Sequence, residues 1–160
     1  MTETEFNNLI KKDKYQVFLF NSLCSIPTNF ARHHWFVVNK KGVISRWDVL
    51  FRLLRGTEFA TRWGHVYSNF LPNTTGVEIF PYFGKPYWKS KLLKVIEGDE
   101  NSVARKMADF IENSKENYPH KDIYHLTGPN SNTYIQWILN NFPELNIKLG
   151  WNAFGKNYNT

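Results

Sequence analysis

Aromatic and β-branched side chains fill Tyr15 to Asn21, a length and composition that predict a first strand. The polar, proline-bearing stretch Ser22–Asn29 breaks the run and reads as a loop. Two more apolar runs follow, His33–Asn39 and Val43–Leu50, separated only by the turn Lys40-Lys41-Gly42. So short a connection predicts an antiparallel hairpin. Beyond it, Arg62–Tyr67 reads as a short strand or an irregular crossing, and Leu71–Gly76 as a turn. Val77–Phe80 and Lys91–Glu97 are further strand candidates, with an aromatic loop, Pro81–Trp88, between them.

The period changes after Asn101. Val103, Ala104, Met107, Ala108, Phe110 and Ile111 recur at helical spacing, while Arg105, Lys106, Asp109 and Glu112 take the opposite face. Tyr118-Pro119 closes this region, and Asp122–Leu126 is expected as a short last strand. The turn Gly128-Pro129-Asn130 then feeds a final helix from about Asn132 to Asn140, which stops before Phe142-Pro143. The pattern amounts to one mixed α and β domain over 15–160, preceded by an N-terminal extension, 1–14. No repeat, low-complexity tract or linker divides it.

Composition narrows the classes of function. A hydrophobic content of 42% with 17% aromatic residues belongs to a folded globule. The net charge of +6 comes from scattered Lys and Arg, so nucleic acid is an unfavoured partner. Cys24 is the sole cysteine, which removes an internal disulfide and any multi-cysteine zinc site. As a nucleophile it has no evident base beside it, and it reads as a buried, incidental thiol. The acidic start, Met1–Phe6, is no secretory signal, and no apolar run approaches the roughly 20 residues that span a bilayer. A cytoplasmic protein is the expectation. Neither a P-loop nor a GxGxxG motif occurs, and the histidine spacings suit no metal site, so no cofactor is expected.

The chemistry concentrates at Gly128-Pro129-Asn130-Ser131-Asn132-Thr133-Tyr134. A helix start presents free N–H groups and the positive end of the helix dipole, so Ser131 can cap, bind an anion or serve as a nucleophile. Asn130, Ser131 and Asn132 all suit an N-cap. A nucleophilic serine needs a base, and the histidines supply candidates. His33 and His34 are adjacent on a strand and therefore point to opposite faces. His65 and His125 are the others considered. Asp48, across the hairpin, could orient a histidine; its plainer role is a solvated residue or a partner for Arg46 or Arg52.

Three blocks, Arg32–Val38, Gly128–Tyr134 and Gly155-Lys156-Asn157-Tyr158, resemble an uncharacterised bacterial family catalogued as domain-of-unknown-function family 3750. The likeness runs from about Tyr15 to Tyr158, and its strand pattern maps the family histidine to His33. More distantly, Asn130–Tyr134 resembles the late Asn-Cys-x-x-aromatic block of circularly permuted NlpC-type, papain-like proteins, with Ser131 where cysteine would stand. Relatives among the lecithin:retinol acyltransferases carry His directly before Trp, which selects His34 instead. This likeness implies an α+β fold, an antiparallel sheet with helices on one side in a permuted papain-like arrangement.

It also implies a serine-dependent hydrolase or acyltransferase acting on an amide or ester. Ser131 would attack, His33 or His34 would act as base, and Asp48 would orient it. Asn130, Asn132, Trp35 and Lys156 would bind substrate, Lys156 by holding an anionic group. The alternative is a non-catalytic module using the same cleft, lined by Trp35, Trp63 and Trp137, for a peptide, glycan or lipid fragment.

Overall fold

The computed structural model describes residues 1–24, 30–50, 66–69, 71–76, 90–121 and 123–159. Trp63, His65, the candidate strand Val77–Phe80 and the loop Pro81–Trp88 lie outside the described residues.

Five antiparallel strands form one sheet in the order β4-β3-β2-β1-β5. They are β1 (Tyr15–Leu23), β2 (Arg32–Lys40), β3 (Val43–Val49), β4 (Val66–Ser68) and β5 (Lys91–Gly98). The expected hairpin is β2–β3, with Lys40 opposite Val43. Its two linking residues, Lys41 and Gly42, have φ of 52° and 93°, the double positive φ of a turn whose twist matches the strands. Glycine at the second position carries no steric cost there. The hairpin places Asp48 two positions beyond Arg46, both on the same sheet face.

Among the described residues there are four α-helices, α1 (Glu3–Asn7), α2 (Val103–Glu112), α3 (Ser114–Asn117) and α4 (Ser131–Asn140), and a 3-10 turn at Pro143–Leu145. Helix α2 starts where Ser102 accepts from the Arg105 N–H, a cap worth about 1 kcal/mol. Its apolar stripe, Ala104, Met107, Ala108 and Ile111, is fully buried. It packs with Ile135 and Ile138 of α4 against Val17, Leu19, Phe36 and Val38 of the sheet. Each such large side chain contributes about 1.5–3 kcal/mol on burial. The other sheet face carries Phe18, Phe20, Trp35 and Val37, and Phe6 of α1 closes it. Phe6 meets Phe18 and Phe20 edge-on, at 5.0 and 5.7 Å between ring centres.

One expected element is absent. Within the candidate strand Asp122–Leu126, residues 123–125 lie in no strand and Leu126 lies in a turn. The backbone there bonds locally: His125 N–H donates to Pro129 O and Gly128 N–H to His125 O. Those groups close the turn before α4 and pair with no sheet neighbour. Among the described residues, no helix is long and apolar enough to cross a membrane.

Candidate functional site

The start of α4 is built by its cap. Asn130, in extended conformation, accepts the Asn132 and Thr133 N–H groups on its side-chain oxygen. Thr133 Oγ1 returns the bond from the Asn130 N–H. Asn130 is therefore the N-cap, and Ser131 is the first residue inside the helix, released from capping. Among the described residues nothing engages the Ser131 N–H or its hydroxyl. One backbone donor at the positive end of the dipole thus stays free beside the serine hydroxyl.

The tail locks this turn from outside. Thr133 Oγ1 donates to Gly155 O at 2.7 Å, and Asn132 Nδ2 to Phe154 O at 2.9 Å. Gly155 has φ +83°, and a Cβ there would lie 2.5 Å from the Asn130 amide nitrogen, so only glycine admits the approach.

The two adjacent histidines have different jobs. His34 lies on the helix face, its Nδ1 2.7 Å from Asn132 Oδ1. Asn132 Nδ2 is spent on the Arg32 and Phe154 carbonyls, so its oxygen faces His34, and His34 Nδ1 carries the proton. His34 Nε2 then offers a lone pair to Asn21 Nδ2, a long contact of 3.4 Å. Burial pushes the His34 pKa down to about 4, against the bond to Asn132, which raises it; His33 and Arg32 nearby lower it further. His34 is a neutral clamp between sheet and helix.

His33, on the opposite face, has Nε2 at 2.8 Å from Asp48 Oδ1. Asp48 Oδ2 accepts from Arg46 at 2.7 Å. Arg46 in turn donates to Pro72 O and Thr75 O and lies 4.3 Å above the Trp35 ring. All three polar side chains are buried. A carboxylate accepts only, so His33 Nε2 donates, and in the neutral ring the lone pair lies on Nδ1. That Nδ1 has no hydrogen bond among the described residues.

His33 and Ser131 line the same cavity, of about 220 Å³, at the start of β2. Cys24, Arg32, Tyr124 and Asn132 share its lining, and Phe30, Leu126 and Phe154 form its apolar wall. No hydrogen bond joins Ser131 Oγ to either histidine among the described residues. The Cys24 thiol is pushed up to about 12 by burial, against the opposing effect of Arg32, and stays protonated. Burial likewise raises the Tyr124 phenol, with Cys24 and Asp48 near enough to add to the shift.

The other expected site residues fall elsewhere. Trp35 does not line the cavity. It sits in the opposite core, stacked on Phe20 and 5.8 Å from the His33 ring, with its Nε1 bonded to Asn73 O. Trp137 packs against Phe110 and Tyr118. The Lys156 ammonium donates to the Leu149 and Gly150 carbonyls at 2.8 Å each and borders other surface hollows. His125 is exposed and, among the described residues, bonds through its backbone alone. The motifs passed over Arg32, at the very start of β2, and Tyr124, Leu126 and Phe154, which irregular chain brings in and no periodicity marks. No group of three or more His, Cys, Asp or Glu side chains among the described residues could hold a metal.

Residues 14–158 match the family described as a protein of unknown function (DUF3750). The chain belongs to that family. No curated protein and no solved structure matches it. For a member of this family, the cavity geometry therefore carries the functional argument.

Proposed function

We propose that the cavity is an acyl-transfer site, in a permuted papain-like arrangement, with Ser131 as nucleophile and His33 as base. The observation that carries this is the buried His33–Asp48 contact of 2.8 Å, which leaves the His33 Nδ1 lone pair unengaged in the cavity that Ser131 lines. Ser131 Oγ attacks the carbonyl carbon of an ester or amide, and its proton passes to His33 Nδ1. Asp48, held by Arg46, keeps Nε2 protonated and stabilises the imidazolium that forms. The Ser131 N–H receives the developing oxyanion at the helix start. His33 then delivers the proton to the leaving group, giving an acyl-serine. Water resolves that intermediate in a hydrolase, and another nucleophile does so in a transferase. Asn132 and His34 position Ser131 from the other side.

A second function has one observation in its favour. With no hydrogen bond from Ser131 Oγ to His33 and a single free N–H, the same cavity suits a non-catalytic binding module. A fluorophosphonate probe separates the two. Under acyl transfer, the wild type is labelled at Ser131, and Ser131→Ala and His33→Ala each reduce labelling by about 10³-fold or more. A folded wild type that takes no label leaves the binding module.

A further inference from the structure

The cavity walls speak to what it holds. Phe30 and Leu126 are each 55% exposed and Phe154 39%, large apolar side chains left open at one place on the surface. Phe30 and Phe154 meet edge-on at 5.5 Å, so the wall has a defined shape. Ala31 and Cys24 line the cavity too, and the lining a ligand would touch is mostly apolar. An apolar cavity of about 150 Å³ is enough for benzene, so 220 Å³ has room for one ring or a short alkyl chain.

Arg32 adds charge to that wall. It lines the cavity, half-buried, and its guanidinium has no carboxylate and no hydrogen bond among the described residues. Only its backbone is engaged, N–H to Asn152 O and O to Asn132 Nδ2. No Asp or Glu side chain lines the cavity among the described residues. The other charged group nearby, Asp48, is consumed by Arg46 and His33. A half-buried, unpaired guanidinium beside an apolar wall favours an anion attached to an apolar group.

From this wall and this unpaired cation we infer that the site recognises a small apolar anion: a short alkyl or aryl group seated against Phe30, Leu126 and Phe154, bearing a phosphate or carboxylate that pairs with Arg32. This rests on the acyl-transfer site proposed above and names its substrate class, an ester or amide that carries such an anion.

Binding can be read without turnover, by calorimetry with hexyl phosphate, hexanol, inorganic phosphate and hexyltrimethylammonium. Hexyl phosphate should bind the wild type and Ser131→Ala equally. Inorganic phosphate, hexanol and the cation should each bind on the order of tenfold more weakly, or not at all. Arg32→Gln should lose a similar factor for hexyl phosphate and almost nothing for hexanol, and Leu126→Asp should weaken both. Thermal melts would verify that both variants fold, and the ligand series on the wild type needs no variant. Equal binding of the cation and hexyl phosphate overturns the inference, as does an unchanged affinity in folded Arg32→Gln. If the fluorophosphonate labels Ser131 but hexyl phosphate does not bind, the substrate class is wrong and acyl transfer survives. Binding without labelling reverses that outcome.

Discussion

His33 and His34 are neighbours in sequence and equally buried, yet the sheet separates them completely. On the helix side, His34 meets an amide whose other end is tied to two carbonyls, and both ring nitrogens have a partner. On the other side, His33 meets a carboxylate anchored by an arginine, and only one nitrogen is used. The first arrangement holds a ring still. The second fixes the ring and its tautomer while keeping a lone pair available. What distinguishes the two histidines is the number of nitrogens engaged, since depth of burial is the same.

The strongest challenge to this contrast is Asp48→Ala. It leaves Arg46 buried beside Trp35 without its carboxylate and frees His33 to rotate, so stability should fall by about 3–5 kcal/mol in urea unfolding. Labelling of whatever remains folded should fall as well. A loss below about 1 kcal/mol would mean that water serves Arg46 as well as Asp48 does.

Acid titration probes the other side. His34 is held neutral, its pKa near 4 in the fold against 6.5 for the free group. Between those values the unfolded chain binds the extra proton. Stability from this group is therefore complete above pH 6.5 and is lost as pH falls towards 4, by about 3 kcal/mol in all. His34→Gln should flatten that part of the profile and keep fluorophosphonate labelling. A folded His34→Gln protein that has lost labelling, beside a His33→Ala protein that keeps it, would reverse the two roles.

Asn132→Ala carries the smallest effect. Three bonds go, yet the position borders the cavity and water can replace part of them, so the cost should be about 2 kcal/mol by thermal unfolding. Since the Asn132 bond raises the His34 pKa, its removal should also carry the acid loss of stability below pH 4. A profile that still levels off near pH 4 would show that Asn132 has no hold on the imidazole.

The hairpin and the two long helices were legible because each rests on local rules: strand composition, a two-residue turn, a helical stripe, a cap. The position of Ser131 was legible to within one residue, for Asn130, Ser131 and Asn132 all suit a cap, and the structure gives the cap to Asn130 through its reciprocal bonds with Thr133. Strand alternation placed His33 and His34 on opposite faces but could not say which face the helices cover. That also misdirected Trp35, whose neighbour-but-one relation to His33 puts it behind that ring, in the opposite core. Tyr124 and Leu126 read as strand residues, because nothing local reveals that the backbone will turn back on Pro129.

Gly155 and Phe154 fix a timetable as well as a shape. Their carbonyls hold Thr133 and Asn132, and they follow every strand and every helix of the fold in the order of synthesis. A growing chain can pair its sheet and coil α4 long before those two acceptors leave the ribosome. Until then Asn132 lacks one of its anchors, and the serine beside it sits on an unsecured turn. The pocket lining is thus completed only by chain that follows all the described strands and helices, after the rest of the domain has been made.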